Sequence, residues 1–226
     1  MTAKKIIFVT GTDTGVGKTL LTASLLHHLR QRGIHALGMK PFCSGGLADV
    51  RLLQSLQPGE LSDAEANPFY FPEPIAPLVA GMHRKPVRLS DVLSRINRLK
   101  NQCDRLIIEG SGGLMVPLGP SYTVGDLIAK LDCKVVVVAR NRLGTINHTL
   151  LTIHALKTLG IKTKNITVVL MGMKKQDLSA RTNQRMLATL LKPIGVHALP
   201  FLGARATTTN AVKENYARVR GVLAVL

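Results

Sequence analysis

The chain contains no tryptophan, and only 4% of its 226 residues are aromatic. A core built with so few large rings is mostly aliphatic, and Val, Ile and Leu suit a parallel sheet that is buried on both faces. Apolar residues make up 46% of the sequence and charged residues 19%, which excludes wholesale disorder. This length is sufficient for one α/β domain, so we expect a single domain over residues 1–226.

Cysteine and long apolar runs are also scarce. The three cysteines, Cys43, Cys103 and Cys133, lie far apart and show no C-x-x-C spacing. This pattern predicts neither a disulfide framework nor a zinc site and is typical of reduced thiols in the cytosol. No apolar run approaches transmembrane length, and residues 1–5 are too few for the charged region of a signal peptide. We therefore expect a cytoplasmic protein with no membrane partner.

Acidic residues are few. The chain has 13 Asp and Glu residues and 30 Lys and Arg residues, which gives a formal net charge of +17. Such a balance occurs in nucleic-acid-binding proteins, but it can also steer anionic substrates. The basic residues are spread along the chain with a mild cluster at residues 157–175, and no recognisable nucleic-acid-binding motif accompanies them. We expect no nucleic-acid partner.

Short apolar runs alternate with amphipathic segments along the chain. Predicted strands cover residues 6–10, 36–40, 105–109, 134–139, 165–171 and 196–200, and predicted helices cover residues 18–32, 48–56, 90–101, 123–130, 147–159 and 179–191. Ser90 is the expected N-cap of the third helix, and residues 58–81, rich in proline, are expected to form an irregular surface loop. Repeated strand–helix units predict an α/β fold with a parallel sheet and helices on both faces, as in P-loop NTPases.

Residues 11–19, with the sequence GTDTGVGKT, follow the first predicted strand and open the first predicted helix, as a phosphate-binding P-loop does. The usual spacing is G-x-x-x-x-G-K-[ST]; here the first glycine lies one residue earlier, and Thr12 takes its usual position. Backbone N–H groups of residues 15–18 can cradle phosphate oxygens at the helix N-terminus. Lys18 is expected to contact the β- and γ-phosphates, and the Thr19 hydroxyl to bind Mg²⁺.

Four segments, VTGTDTGVGKT, MKPFCSGG, IIEGSGGLMVPL and LGTINHTLLT, occur in this order and resemble the dethiobiotin synthetase family from about residue 5 to residue 160. Enzymes of this family join CO2 to diaminopelargonic acid. ATP then activates the carbamate as a mixed carbamic–phosphoric anhydride, and the second amine closes the ring and releases phosphate. The resemblance implies a nucleoside triphosphate as co-substrate, CO2 or bicarbonate as substrate, Mg²⁺ as cofactor, and a homodimer with shared active sites.

The resemblance assigns Lys40, Lys18 and Thr14 to catalysis. Lys40 matches the family's catalytic lysine at the end of the second strand, beside the P-loop, where ligands bind in such sheets. A cation at this place can stabilise the carbamate and the transferring phosphoryl group. Thr14 matches a threonine that faces the transferring phosphate.

Glu109, Asp49 and Thr19 are the metal ligands that the resemblance implies. Glu109 ends the predicted strand 105–109, and a carboxylate at a strand tip facing the P-loop suits Mg²⁺. Asp49 lies at the start of a predicted helix, where an aspartate is also a common N-cap, so both roles stay open for this residue.

The remaining assignments concern binding. Ser44 matches a substrate-contacting serine, although a loop serine without function is the alternative, and residues 74–77 resemble a segment that lines the substrate site. Residues 144–148 open a helix whose N-terminus receives, in the family, the tail carboxylate of the substrate bound to the neighbouring subunit. The expected substrate-binding residues are Ser44, Thr145, Ile146 and Asn147, and the expected nucleotide-site residues are Gly15, Val16, Gly17, Lys18, Thr19, Leu20, Asp49, Glu109, Gly112 and Pro200.

The sequence departs from the family where many members end the fifth strand with an Asn-Asp pair that reads adenine. Residues 170–173 are Leu-Met-Gly-Met and contain no amide or carboxylate side chain, and Asp177 lies out of register. We therefore expect relaxed nucleotide choice. Gly15 also stands where some relatives carry a glutamate.

Three other interpretations stay open. A ParA/MinD-like ATPase that binds DNA or a membrane agrees with the basic charge, but the chain lacks that class's KGG-x-GKT lysine and an amphipathic tail. An amidotransferase-type cobyrinate synthetase would carry a glutaminase domain. A degenerate paralogue would have lost some of the expected phosphate, metal and catalytic residues, all of which are present.

Overall fold

A computed structural model of the chain describes residues 4–82 and 86–226. Its strands are β1 (Ile6–Gly11), β2 (Ala36–Met39), β3 (Phe42–Ser44), β4 (Phe69–Phe71), β5 (Arg105–Glu109), β6 (Pro117–Gly119), β7 (Tyr122–Thr123), β8 (Cys133–Arg140), β9 (Ile166–Met171) and β10 (Gly195–Leu199). Its helices are α1 (Lys18–Gln31), α2 (Ala48–Ser55), α3 (Asp63–Ala66), α4 (Pro77–Ala80), α5 (Leu89–Lys100), α6 (Val124–Ala129), α7 (Thr145–Thr158), α8 (Asn183–Leu190), α9 (Thr209–Glu214) and α10 (Tyr216–Leu223).

In the described part of the chain, six strands form a parallel sheet in the order β10–β9–β8–β1–β5–β2. Strand β1 is central, with Ile6 opposite Leu106 of β5 on one side and Cys133 of β8 on the other. Because all six strands run the same way, the loops that follow β1, β2 and β5 meet at one edge of the sheet. That edge is the usual ligand-binding edge of such folds.

Alternate residues of the central strand point to opposite faces of the sheet. Ile6 and Phe8 join a buried cluster that includes side chains of α5, α6, α7 and α8. Ile7 and Val9 join a second cluster, formed with side chains of α1, α2, α9 and α10. Aliphatic burial on both faces is the main source of stability in such a sheet. The expected parallel sheet with helices on both faces is confirmed.

Two expectations about local structure are wrong. Residues 58–81 are not irregular throughout, since they contain α3, β4 and α4. Strand β4 forms because Phe69 pairs with Phe42 of β3 and their rings stack with centroids 5.0 Å apart. Pro77 occupies the first turn of α4, where its missing N–H costs no hydrogen bond. Ser90 is not an N-cap, because α5 begins one residue earlier, at Leu89, and Arg88 holds the capping position.

The C-terminal helices were not anticipated from the sequence. Helices α9 and α10 pack on α1, and the Tyr216 hydroxyl of α10 lies 3.0 Å from Nδ1 of His28. The loop between β10 and α9 thereby passes over the carboxyl edge of the sheet and brings Thr207 to the candidate site described below.

Over residues 4–82 and 86–226, no helix is both long enough and apolar enough to cross a bilayer.

Candidate active site

The P-loop turns tightly between β1 and α1. Gly15 and Gly17 adopt φ angles of 68° and 105°, a left-handed conformation that favours glycine. Gly17 is the N-cap residue of α1, and no side chain in the described residues caps this end of the helix. The first N–H groups of α1 therefore stay available to an anion, which the positive end of the helix also attracts.

Lys18 lies over this loop and donates a hydrogen bond from Nζ to the carbonyl oxygen of Asp13, at 2.9 Å. Burial lowers the pKa of Lys18 to about 8, while Glu109 opposes this shift and Lys40 adds to it. A phosphate group in the loop would raise this pKa again, because an anion at close range favours the protonated form.

Lys40 and Glu109 form a buried ion pair at the tips of two neighbouring strands. Nζ of Lys40 lies 2.8 Å from Oε1 of Glu109 and also donates to Oδ2 of Asp49. The Thr19 hydroxyl donates to the same Oε1 of Glu109, at 2.8 Å. The pairing of Met39 with Ile108 in the parallel sheet explains this meeting, since it brings the ends of β2 and β5 side by side.

For both Lys40 and Glu109, burial and the opposite charge nearby shift the pKa in opposite directions. Burial alone lowers the pKa of Lys40, but the carboxylates of Glu109 and Asp49 outweigh it and raise the pKa above its ordinary value. Burial raises the pKa of the Glu109 carboxyl, and the ammonium of Lys40 opposes that shift. Lys40 is therefore a cation throughout the physiological pH range.

The donor set at this place fits Mg²⁺. Glu109 is only 1% exposed, and among the described residues its Oε2 has no hydrogen-bond partner. With Asp49 and the Thr19 hydroxyl, it offers the all-oxygen ligands that this hard cation prefers. The described residues contain no group of three or more His, Cys, Asp and Glu side chains suited to a metal. A metal at this site would therefore need the Thr19 hydroxyl in addition to the two carboxylates.

These groups line a cavity of about 630 Å³. The expected residues around it are Thr14, Gly15, Gly17, Lys18, Thr19, Leu20, Lys40, Ser44, Asp49, Glu109 and Gly112, together with the expected lining segment 74–77. Within the described chain, the buried Ser44 hydroxyl oxygen has no hydrogen-bond partner, and Ser44 lines this cavity. Cys43, Ser111, Val116 and Thr207 also line the cavity and were not predicted to contribute.

The comparisons with known proteins agree with this geometry. A family model described as "AAA domain" matches residues 5–204. The ATP-dependent dethiobiotin synthetase BioD of Bacillus velezensis is 38% identical over 215 residues, which cover 92% of this chain and 89% of the relative. The enzyme of the same name from Bacillus licheniformis is 42% identical over 190 residues, covering 81% and 80% of the two chains.

The chain belongs to the dethiobiotin synthetase family. The four sequence segments predicted membership of this family of ATP-dependent ligases, and the prediction is confirmed. Among solved structures, the MinC:MinD cell division protein complex of Aquifex aeolicus matches with a TM-score of 0.64, covering 98% of this chain and 95% of that one. At 13% identity, this similarity shows the fold alone.

In this member of the dethiobiotin synthetase family, a second, small cleft also borders the P-loop. It is lined by Thr12, Asp13, Thr14, Val16, Arg140, Arg142, Thr145 and His148. The expected substrate residue Thr145 and the expected nucleotide residue Val16 thus lie here rather than around the large cavity. Of the other expected residues, Asn147 and Pro200 are exposed, and Ile146 packs partly against the core.

Sequence reasoning missed the residues that hold this region together. Arg140 ends β8 and reaches the P-loop, and Asp177 and Asn183 hydrogen bond to the turn before α7. The position of Arg140 at the carboxyl end of a buried strand was a usable signal, because such positions face the ligand edge. No sequence pattern predicts that Thr207 lies at the cavity, since its position depends on how the C-terminal helices pack.

Proposed function

We propose that the chain closes the ureido ring of dethiobiotin from diaminopelargonic acid and CO2, with consumption of ATP and release of ADP and phosphate. The reaction passes through a carbamate and a carbamic–phosphoric anhydride. The observation that carries the proposal is the Lys40 ammonium, fixed between Asp49 and Glu109 in the cavity that also contains Lys18 and the P-loop. The 36–42% identity to dethiobiotin synthetases over most of the chain supports it.

The P-loop end of the cavity binds the triphosphate in this proposal. Backbone N–H groups of residues 15–18 and the ammonium of Lys18 hold the β- and γ-phosphates. Thr19, Asp49 and Glu109 hold Mg²⁺, which would neutralise phosphate charge when bound. Thr14 lines the cavity at the same end and contacts the phosphate that is transferred.

The other end of the cavity binds the diamine and its carbamate. Lys40 lies between the two ends, so its fixed positive charge stabilises the carbamate oxygens and the negative charge that develops on the transferring phosphoryl group. Ser44 and residues 74–77 line this end of the cavity and orient the substrate. The apolar side chains of Pro74, Ile75 and Pro77 suit the hydrocarbon chain of the diamine and limit access of water to the anhydride.

A homodimer completes the site in this proposal. Met115 and Leu151 are 66% and 61% exposed, and both line a further cavity of about 450 Å³ that reaches Thr12 and Thr14 of the P-loop. Apolar side chains exposed this close to a P-loop support contact with a second copy of the chain. The same contact places the N-terminus of α7, with Thr145 and Asn147, near the neighbour's substrate, whose tail carboxylate it attracts.

The experiment that tests the function combines product and phosphate measurements. The protein is incubated with diaminopelargonic acid, bicarbonate, Mg²⁺ and ATP, and dethiobiotin and free phosphate are quantified together. Equal amounts of both products are expected. Lys40→Met should reduce turnover by about 10²-fold or more, as loss of a charge-stabilising donor does in other enzymes. Lys164→Met serves as the matched control, because Lys164 is exposed and precedes β9 at the opposite edge of the sheet.

Removing Lys40 leaves the carboxylate of Glu109 buried and unpaired, which destabilises a protein by about 3–5 kcal/mol in comparable cases. Thermal unfolding of each variant is therefore recorded, and Lys40→Gln, which keeps a hydrogen-bond donor, is assayed beside it. Phosphate release that needs no diaminopelargonic acid and yields no dethiobiotin would contradict the proposal. Stimulation of that release by DNA, lost at high salt, would favour the ParA/MinD-like alternative.

A further inference from the structure

The guanidinium of Arg140 holds a single carbonyl oxygen of the P-loop with two hydrogen bonds. Nε and Nη2 of Arg140 lie 3.0 Å and 2.8 Å from the oxygen of Gly15, although 125 positions separate the two residues in sequence. Arg140 lines the small cleft and is not among the residues around the 630 Å³ cavity of the proposed nucleotide site.

This contact fixes the direction of a peptide plane. In a trans peptide, the C=O of one residue and the N–H of the next are coplanar and point in opposite directions. When Arg140 holds the carbonyl of Gly15, the N–H of Val16 is directed away from the guanidinium. That N–H belongs to the proposed phosphate cradle.

Gly15 is also the residue type that this contact requires. Its φ of 68° favours glycine, and a Cβ at this position would lie 2.8 Å from Nη2 of Arg140. A side chain at position 15 and the observed position of the guanidinium therefore exclude each other. The left-handed conformation of Gly15 and the observed position of the Arg140 guanidinium therefore occur together.

We propose that Arg140 is a positioning residue that holds the P-loop in its phosphate-binding conformation before the nucleotide arrives. Its contribution comes from preorganisation, because the loop then does not have to be ordered when the phosphate binds. The proposal rests on the nucleotide site of the proposed function but not on the ring-closing reaction.

The test measures binding of the non-hydrolysable analogue AMP-PNP with Mg²⁺ by calorimetry. Arg140→Ala should raise its Kd about tenfold, the loss expected for one charge-assisted contact. Arg140→Lys should recover part of the affinity, since it restores one donor but not the two-pronged contact. Arg142→Ala is the matched control, because it removes the same charge from the same cleft and should change Kd less than about threefold.

Two further measurements separate positioning from general stability. In steady-state kinetics, Arg140→Ala should raise the KM for ATP more than it lowers kcat, and its Tm without nucleotide should stay close to that of the wild type. In a double-mutant cycle, Gly15→Ala should weaken AMP-PNP binding more in the wild-type background than with Arg140→Ala, because only an intact Arg140 is displaced by the added Cβ.

Equal losses in Arg140→Ala and Arg142→Ala would overturn the proposal, since charge alone would then account for the effect. Wild-type affinity in Arg140→Ala would overturn it as well. A wild-type protein that binds AMP-PNP but makes no dethiobiotin would contradict the proposed function and leave the positioning role measurable. Absence of AMP-PNP binding in the wild type would overturn both.

Discussion

The carboxylate of Asp177 accepts a hydrogen bond from the backbone N–H of Leu143, with Oδ2 2.8 Å from the nitrogen. Asp177 lies between β9 and α8, whereas Leu143 belongs to the turn that leads into α7. The other carboxylate oxygen accepts from the Ser179 hydroxyl and the Ala180 N–H, and these bonds lower the pKa of Asp177. The start of α7 is therefore held by a residue of the loop between β9 and α8, and this is the only acidic residue between positions 133 and 213.

Asp177→Ala should weaken binding of diaminopelargonic acid. Without the carboxylate, the turn at Leu143 loses a hydrogen bond to a charged group, and only the contact of Asn183 with Arg142 still holds the start of α7 from that loop. We expect the KM for diaminopelargonic acid to rise about 3- to 10-fold, since such a bond contributes about 1.5 kcal/mol, with a smaller change in the KM for ATP. Ser179→Ala is the control: it removes a hydroxyl that donates to Asp177 and accepts a long bond, 3.4 Å, from Asn183, and it should change neither value by more than about twofold. Equal effects of the two substitutions would contradict this role for Asp177.

The part of the site that was predicted from the sequence depends on local pattern and on one topological rule. The strand, loop and helix that carry Lys18 are contiguous, so their signals reinforce each other. Lys40 and Glu109 are distant in sequence, but each ends a buried strand, and parallel strands end at the same edge of a sheet. Their meeting at 2.8 Å follows once those two strands are neighbours.

The remaining parts depend on tertiary packing that no local pattern encodes. Strand β4 exists because Phe69 finds a partner strand, although the prolines around it predict a loop. Thr207 reaches the cavity only because α9 and α10 pack on α1. The contact of Arg140 with Gly15 requires β8 beside β1, an adjacency that the order of the elements alone does not determine.

Nucleotide choice should be relaxed. Gly172, next to the end of β9, donates its N–H to Leu199 O at 2.8 Å, and a Cβ there would lie 2.6 Å from the backbone nitrogen of Phe201. A base-reading side chain at position 172 is therefore sterically excluded, and the neighbouring Met171 is buried against Gly17. We expect GTP, CTP and UTP to support dethiobiotin formation within about tenfold of ATP, because base discrimination beyond that needs specific hydrogen bonds. A strong preference for ATP in competition assays would contradict this prediction.

The three cysteines should be unreactive in the folded protein. Cys43, Cys103 and Cys133 are 2%, 6% and 3% exposed, and burial raises the pKa of each thiol, to about 12 for Cys133. Since the thiolate is the reactive form, titration with a chromogenic disulfide at pH 8 should give well below one equivalent in the native state. The full complement of three should appear after unfolding in denaturant. Rapid native labelling, abolished by Cys43→Ser alone, would show that the cavity admits the reagent and would contradict the prediction for that residue.

Stability should fall as the pH decreases from about 7.5 to 5.5, and His28 should account for part of the loss. His28 is 4% exposed, its Nδ1 lies 3.0 Å from the Tyr216 hydroxyl, and burial, followed by the charge of Arg32, lowers its pKa. The unfolded chain then takes up a proton at a higher pH than the folded chain does, so the free energy of unfolding decreases as the pH falls below the ordinary histidine value of about 6.5. His27 shifts in the same direction, by burial and by the charge of Lys213.

His28→Asn removes this titration and should flatten the dependence of Tm on pH in this window. His27→Asn is the matched comparison, since His27 is less buried and should flatten the dependence less. Tyr216→Phe keeps the ring and removes only the hydroxyl. It should therefore lower Tm at both ends of this pH window and leave the dependence of Tm on pH largely unchanged. Carboxyl groups with lowered pKa values, such as Asp126 and Glu65, lose their stabilising effect only at lower pH and do not affect this window. An unchanged slope in His28→Asn would mean that α10 leaves the histidine free to take up its proton in the folded state.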